Sequence, residues 1–387
     1  MQNVDDKLVN LLLKLMSFGG NNLIPLNDIK CVKFVAKKLK KIGCKNDLQV
    51  FGDTANLLSQ IGKGEKKLCF LGHCDVVPIS NKWTKNPCGE VVGNRIYGRG
   101  AVDMQGGNAC WIIALKEIIK EKPEILKKIQ ISTFLTGAEE NDGKNGTIKM
   151  VEYLQQQNIH FNACIVGEPT SHFDANEGID DKQLYQICCG RQGSLGFFIT
   201  IHGKSGHIGD KTTYDNPIFK ANKLCNALYQ LQWNNDTHLE IVSFDADNPA
   251  TNVILDEVKI FGDVRYYDVS MEEVANKITE TCKQILVDKF ELKLEDDRRG
   301  YKTEFDDKFL QLVYRCMLDY NKTTIISSCL ACSDGEYMTK ISDSVIELGL
   351  KTPMCHKIDE YTTIQDLVDL KNLYKKIIIC FAEDNMQ

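Results

Sequence analysis

The apolar pattern of this 387-residue chain changes rhythm twice, and that change limits the folds open to it. Up to Val166, short apolar runs alternate with stretches of helical period. Residues 68–71, 129–135 and 163–166 read as buried strands. Ile29, Val32, Ala36, Leu39 and Ile42 form one helical face, capped by Asn27 or Asp28 and stopped at Gly43. Residues 109–119 and 147–156 read as further helices. Alternation of this kind predicts a largely parallel sheet covered by helices.

From residue 196 the order becomes strand, helix, strand, strand, helix, strand. The segments are 196–202, 216–233 with Pro217 at the first helical position, 239–244, 257–266, 271–287 and 290–294. This is the ferredoxin-like plan. A helix over 306–320, a strand over 345–348 and a helix over 363–381 then resume the earlier pattern. The expected fold is therefore α/β. A discontinuous domain with a mixed or parallel sheet, residues 1–193 and 302–387, carries an inserted ferredoxin-like α+β domain, residues 194–301.

Composition excludes several function classes. Apolar residues at 43% and charged residues at 26% suit a globular chain and argue against disorder. Lys+Arg 47 against Asp+Glu 53 gives a net charge of −6 with no basic block, which argues against nucleic acid or an anionic membrane as partner. The longest strongly apolar run, residues 377–382, is too short to span a bilayer. Met1 to Asp6 carries two acids and no basic cluster, so no secretory leader is expected. Sixteen cysteines are scattered from Cys31 to Cys380. They read as small buried hydrophobes in a reducing cytoplasm. Cys188-Cys189 and Cys329-x-x-Cys332 lack the second pair of a zinc ribbon, so packing is the expected role of both.

Two of the seven histidines stand in unusual places. His73 ends a buried strand in Gly72-His73-Cys74-Asp75. Residues two apart in extended chain face the same way, so Asp75 can reach the His73 ring. A carboxylate behind an imidazole fixes its tautomer, as a metal ligand requires. His356 lies after a strand, in Met354-Cys355-His356-Lys357. Asp103 follows in a Gly-rich loop, Glu139-Glu140 after strand 129–135, and Glu168 after strand 163–166. Singly, each has an ordinary structural reading. Together they occupy the carboxyl ends of sheet strands, where open α/β sheets place ligands. Carboxylates crowded in one crevice repel unless cations neutralise them, and two His with three carboxylates suit a pair of divalent metals such as zinc.

Gly72-His73-x-Asp75-Val76-Val77-Pro78, Tyr97-Gly98-Arg99-Gly100-Ala101-x-Asp103-Met104-x-Gly106, Glu139-Glu140, Val166-Gly167-Glu168-Pro169 and Cys355-His356-Lys357 occur in this order. In these motifs the chain resembles the M20 family of di-zinc metallopeptidases and deacylases. The first two are highly specific. The resemblance runs from the first helix to the last. It implies two divalent ions per chain, zinc first, with cobalt or manganese as alternatives. Asp103 would bridge them, His73 and Glu168 would complete one site, and Glu140 and His356 the other. Glu139 would be the general base toward the metal-bridging water, with Asp75 behind His73. The resemblance also implies that the inserted domain is lid and dimer interface, so that a homodimer is expected. His207, in Gly203-Lys204-Ser205-Gly206-His207, would reach the partner's site and stabilise the oxyanion. Arg191 and Arg265 match arginines that hold substrate carboxylates, which a guanidinium fork binds bidentately. Asn252 matches a further substrate-side position.

The implied substrate is a small N-acyl amino acid, and within the family the motifs follow the branch that removes succinyl from an amino diacid. Departures from that branch fall at Gln192 (Arg expected), Asp210 in Gly209-Asp210-Lys211 (Ala-Tyr-Pro), Cys332 (Thr), Thr352 (Asn) and Leu255 (Pro). The stretch from Glu168 to Arg191 is also longer than usual. Metal ligands and base are untouched, so other deacylases and dipeptidases remain as alternatives for the substrate. A catalytically dead relative would show eroded ligands, and none is eroded. A serine hydrolase lacks its Gly-x-Ser-x-Gly elbow, and the glycines 62 and 64 form no P-loop.

Overall fold

The computed structural model describes residues 4–19, 29–141, 143–170, 186–233, 237–267, 269–319, 324–329, 331–350 and 354–384. Asn27, Asp28 and Thr352 lie outside them. The chain forms two compact units. One comprises Met1–Gly190, Thr303–Cys329 and Ser333–Gln387, the other Arg191–Lys302 and Leu330–Cys332.

The first unit is built on a mixed sheet. Its strands lie in the order Lys45–Phe51, Thr54–Gly62, Ile129–Thr136, Lys66–His73, Ala163–Val166, Val345–Glu347, Gln186–Arg191. The central pairings, 129–136 with 66–73, 66–73 with 163–166, and 163–166 with 345–347, are parallel. The flanking ones are antiparallel. The α/β class is as expected, but the sheet is less parallel than strand–helix alternation predicts. The reason is the hairpin 45–62, whose first strand is polar and half-exposed and carries little apolar signal.

Helices Val4–Met16, Ile29–Lys41, Gln105–Glu121, Lys308–Leu318 and Ile364–Glu383 supply the rest of this unit's core. Burial on the inner face of Gln105–Glu121 centres on Trp111. Its ring stacks on Phe70 at 4.7 Å, and Tyr374 meets it edge-on at 5.7 Å. The indole N–H donates to Thr133 Oγ1 at 2.7 Å, so the buried ring leaves no polar atom unpaired. This ties the strand Lys66–His73 to the helices Gln105–Glu121 and Ile364–Glu383.

The second unit has an antiparallel sheet in the order His238–Asp245, Glu257–Tyr266, Gly193–His202, Phe290–Arg298. Alternate residues of Glu257–Tyr266 are buried against helices Pro217–Tyr229 and Met271–Leu286. The first of these helices ends at Tyr229, short of the expected 233, because the Gln230 N–H closes the last turn on Ala227 and Asn226. Apart from that sheet, Gly206–His207 pairs with Val253–Ile254. Among the described residues, no helix is long and apolar enough to cross a membrane. The cysteines are free thiols and most are buried, consistent with a packing role.

Candidate metal centre

Parallel register brings three strand ends to one level. His73 pairs with Thr136, and Leu71 pairs with both Phe134 and Val166. The chain leaves these strands as His73-Cys74-Asp75, as the turn carrying Glu139-Glu140, and as Gly167-Glu168. Side-chain amides fix the first exit: Asn108 Nδ2 donates to His73 O at 2.7 Å and Gln105 Nε2 to Cys74 O at 2.6 Å. Two glycines allow the close approach of the rest. A Cβ on Gly107 would meet Gly167 O at 2.7 Å, and one on Gly349 would meet Glu168 O at 2.1 Å.

His73 Nδ1 lies 3.0 Å from the Asp75 backbone oxygen and 3.5 Å from its Oδ1. Asp75 therefore reaches the ring as expected, with its carbonyl as the nearer acceptor. An N–H at Nδ1 turns the Nε2 lone pair outward. That Nε2 meets two carboxylate oxygens, Asp103 Oδ1 at 3.2 Å and Glu168 Oε1 at 3.3 Å. His356 repeats the arrangement, with Nε2 at 3.0 Å from Asp103 Oδ2 and 3.1 Å from Glu140 Oε1. The two oxygens of Asp103 thus face different histidines. The other carboxylate oxygen of Asp75, Oδ2, accepts from Glu140 N at 2.9 Å.

This donor set suits cations. A proton on Nε2 can satisfy one oxygen, whereas a cation takes the nitrogen and both oxygens. Donors 3.0–3.3 Å apart span the edges of a tetrahedron of radius roughly 2 Å, the usual length of a zinc–nitrogen or zinc–oxygen bond. His73, Asp103 and Glu168 form one group able to hold a metal ion, and Asp103, Cys355 and His356 form another. Glu140 borders the second through His356.

The electrostatics show the same tension. Burial resists charging of His73, but Glu168, Asp103 and Asp75 outweigh it and hold the imidazole well above its ordinary value. Asp103 is held well below the carboxylate range: burial is outweighed by His356 and His73. Glu139 is pushed well up by burial, Asp334 and Glu168, and Glu140 upward by burial and Asp103.

His356 is placed by a tight turn. Its φ is 61° and that of Asp359 is 55°, a left-handed conformation uncommon for non-glycine residues and taken chiefly by Asn, Asp and His among them. Asp359 anchors the turn through Thr84 N and Lys85 N at 2.9 and 3.0 Å. The strand Tyr361–Thr363 then pairs with Arg95–Tyr97.

Sequence reasoning missed two residues. Cys355 Sγ donates to Asp103 Oδ2 at 2.9 Å, and burial pushes its thiol up to about 12. Its place beside His356 was the available signal. Glu360, fully buried, accepts from Arg99 and from the loop that carries Asp103. Burial raises its carboxyl to about 7, with Arg99 opposing. Glu139 and Glu140 sit in a turn after Ala138 (φ 63°). Ser333, the nearest thing to a serine nucleophile, bonds Glu347 Oε1 and accepts from Gly335 N.

The other expected residues belong to the second unit. Exposed His207 accepts the Gly209 N–H at Nδ1 at 3.1 Å, and its Nε2 lies 3.5 Å from the Asn252 side chain. Arg265 Nε pairs with Asp263 at 2.9 Å, and its Nη1 lies 3.8 Å from Cys332 Sγ. Arg191 is buried, with Nη1 directed at Ala331 O at 3.4 Å. Gln192 O accepts from Cys332 Sγ at 3.4 Å, and Asp210 accepts from Thr212.

The profile of Peptidase family M20/M25/M40 matches residues 69–379. A succinyl-diaminopimelate desuccinylase of Hydrogenovibrio crunogenus is 31% identical over 91% of this chain and 94% of its own length. One of Colwellia psychrerythraea is 28% identical over 98% and 96%. Aminopeptidase PepT of Bacillus cereus superposes with a TM-score of 0.79 at 18% identity, covering 98% of this chain and 99% of its own. A dinuclear metal binding peptidase of the M20 family from Bacillus subtilis gives 0.72 at 15% identity, covering 98% and 99%. The chain belongs to peptidase family M20/M25/M40 and is a metal-dependent amidohydrolase.

Proposed function

We propose that this enzyme hydrolyses N-succinyl-LL-2,6-diaminopimelate to succinate and LL-2,6-diaminopimelate. The reading rests on the Asp103 carboxylate, whose two oxygens face two histidines, each with a further carboxylate. His73, Asp103 and Glu168 would hold one divalent ion and Asp103, Glu140 and His356 the other, zinc before cobalt or manganese. When bound, such ions polarise the scissile carbonyl and acidify water in the site. Asp75 keeps the His73 ring oriented with its lone pair toward the ion.

Glu139 takes one proton from the attacking water. The water oxygen bonds to the amide carbon, the C–N bond breaks, and the proton passes to the departing amine. Arg191 and Arg265 bind the carboxylates of the succinyl diacid, with Asn252 alongside. Support for the succinyl group comes from the relatives' names; the departures at Gln192, Asp210 and Cys332 affect this same recognition region. The protein should then release succinate from succinyl-diaminopimelate faster than it deacylates acetylornithine, simple acyl amino acids or dipeptides. Zinc-loaded protein assayed against that panel checks this, and a preferred dipeptide or acetyl substrate would move the assignment within the family.

We further propose that the chain is a cytoplasmic homodimer, with the second unit as lid and dimerisation domain. His207 would then serve the partner's site. Acceptance of the Gly209 N–H at Nδ1 leaves Nε2–H as the donor of the neutral ring, the polarity an oxyanion needs. Mixing inactive Glu139→Gln chains with inactive His207→Ala chains should restore part of the activity, because one site of each heterodimer has both groups. No recovery after verified subunit exchange would remove the trans role.

A further inference from the structure

Four donors converge on a carboxylate that no reaction step uses. Glu360 is 0% exposed. Its Oε2 accepts from Arg99 Nη1 at 2.8 Å and Gly100 N at 3.1 Å. Its Oε1 accepts from Val102 N at 2.8 Å and Asp103 N at 3.2 Å. The Gly98 N–H donates to the Glu360 backbone oxygen at 2.9 Å. The loop from Gly98 to Asp103 is therefore wrapped around one side chain, its amides turned inward. Arg99 is buried as well, with its guanidinium 5.1 Å from the Trp83 ring centre.

We propose that Glu360, with Arg99, is the positioning residue that sets where Asp103 presents its two oxygens to His73 and His356. Three features make this more than loop stabilisation. Among the described residues Asp103 is the carboxylate that faces both histidines, so any displacement of its backbone changes both groups together. Glu360 bonds the backbone N–H of Asp103 itself, not a distant part of the loop. It also stands four residues from His356, at the end of the same turn, and so links that histidine's segment to Asp103. Ligand shells need placement within about 0.5 Å, and partners behind the ligands typically contribute 10–100-fold in metal affinity.

The inference rests on the di-metal reading. Glu360→Gln keeps the volume but offers one acceptor oxygen, and its NH2 must face groups that are themselves donors. Arg99 and part of the amide ring then lose their acceptor in a buried site. Co(II) serves as the probe for wild type and variant, read by titration, by visible absorption and by the magnetic coupling of paired ions. The variant should keep wild-type circular dichroism, bind cobalt about 10–100-fold more weakly, and show altered coupling between the ions. Wild-type affinity and coupling in Glu360→Gln would overturn the positioning role alone. A wild-type chain that binds fewer than two cobalt ions would overturn the di-metal reading and this inference with it. Should Glu360→Gln not fold, Arg99→Met removes one donor and leaves the carboxylate. It should weaken cobalt binding in the same direction by up to about tenfold, and unchanged binding and coupling would overturn the role.

Discussion

Glu139→Gln should abolish turnover while leaving metal content near two per chain. Glu139 and Glu140 are adjacent, and Glu140 meets a histidine of the site, with Oε1 at 3.1 Å from His356 Nε2. Glu140 also has its backbone N–H tied to Asp75, which stands behind His73. Burial, Asp334 and Glu168 push the Glu139 carboxyl up while His73 opposes them, in keeping with a group beside the ligands. The amide preserves shape and cannot take a proton. Loss of a general base costs on the order of 10²–10⁴-fold, or about 3–5 kcal/mol of barrier. Steady-state rates and elemental metal analysis on the same sample check the result. A variant that loses metal but keeps its activity per bound ion would show that the roles of the two glutamates are exchanged.

How the two glutamates could be told apart bears on what a sequence can show. The strands ending at His73, Thr136 and Val166 are short, buried and rich in apolar residues, so their carboxyl ends, and the site residues just beyond them, are legible by position. Their convergence is then a consequence of parallel register. Glu360 is different. Arg99 and Glu360 are 261 positions apart, and nothing periodic in either segment announces the pairing. A glutamate between an aspartate and a tyrosine reads as surface until the strand Tyr361–Thr363 is seen against Arg95–Tyr97. The hairpin 45–62 escaped for a related reason. A polar outer strand is stabilised by its neighbour's hydrogen bonds, which leave no hydrophobic signature. Cys355 was counted among sixteen cysteines whose common explanation is packing, which suits buried ones such as Cys69 and Cys110. Its place beside His356 and its contact with Asp103 set it apart.

Removing the metal should lower the melting temperature and remove activity, and added zinc should restore both. Asp103, Glu139, Glu140 and Glu168 place four carboxylates in one crevice, a formal −4 that two divalent ions offset with +4. A ligand that binds only the native state stabilises it by roughly 4 kcal/mol at a thousand times its dissociation constant. For a unit of this size that is a shift on the order of 10 °C. The pH dependence has a definite sign. In the metal-free protein His73 is held well above its ordinary value, so its contribution to stability is complete below about pH 6.5 and is lost as pH rises further. Glu139 is also raised, and a raised carboxyl opposes folding increasingly as pH climbs past its unfolded value near 4.3. Asp103 has the opposite sign, but its contribution is lost only as pH falls below the carboxylate range. Between pH 5 and 8 the metal-free protein should therefore weaken, while the loaded protein gains as protons cease to compete for the ligands. The gap in melting temperature between the two forms should widen over that interval. Calorimetry of chelated and zinc-loaded samples at pH 5, 6.5 and 8 measures it. A gap that narrows with rising pH would show that protons, and not cations, are what the crevice is built to hold. A chain verified as metal-free that kept its melting temperature and its full activity would overturn the di-metal reading itself.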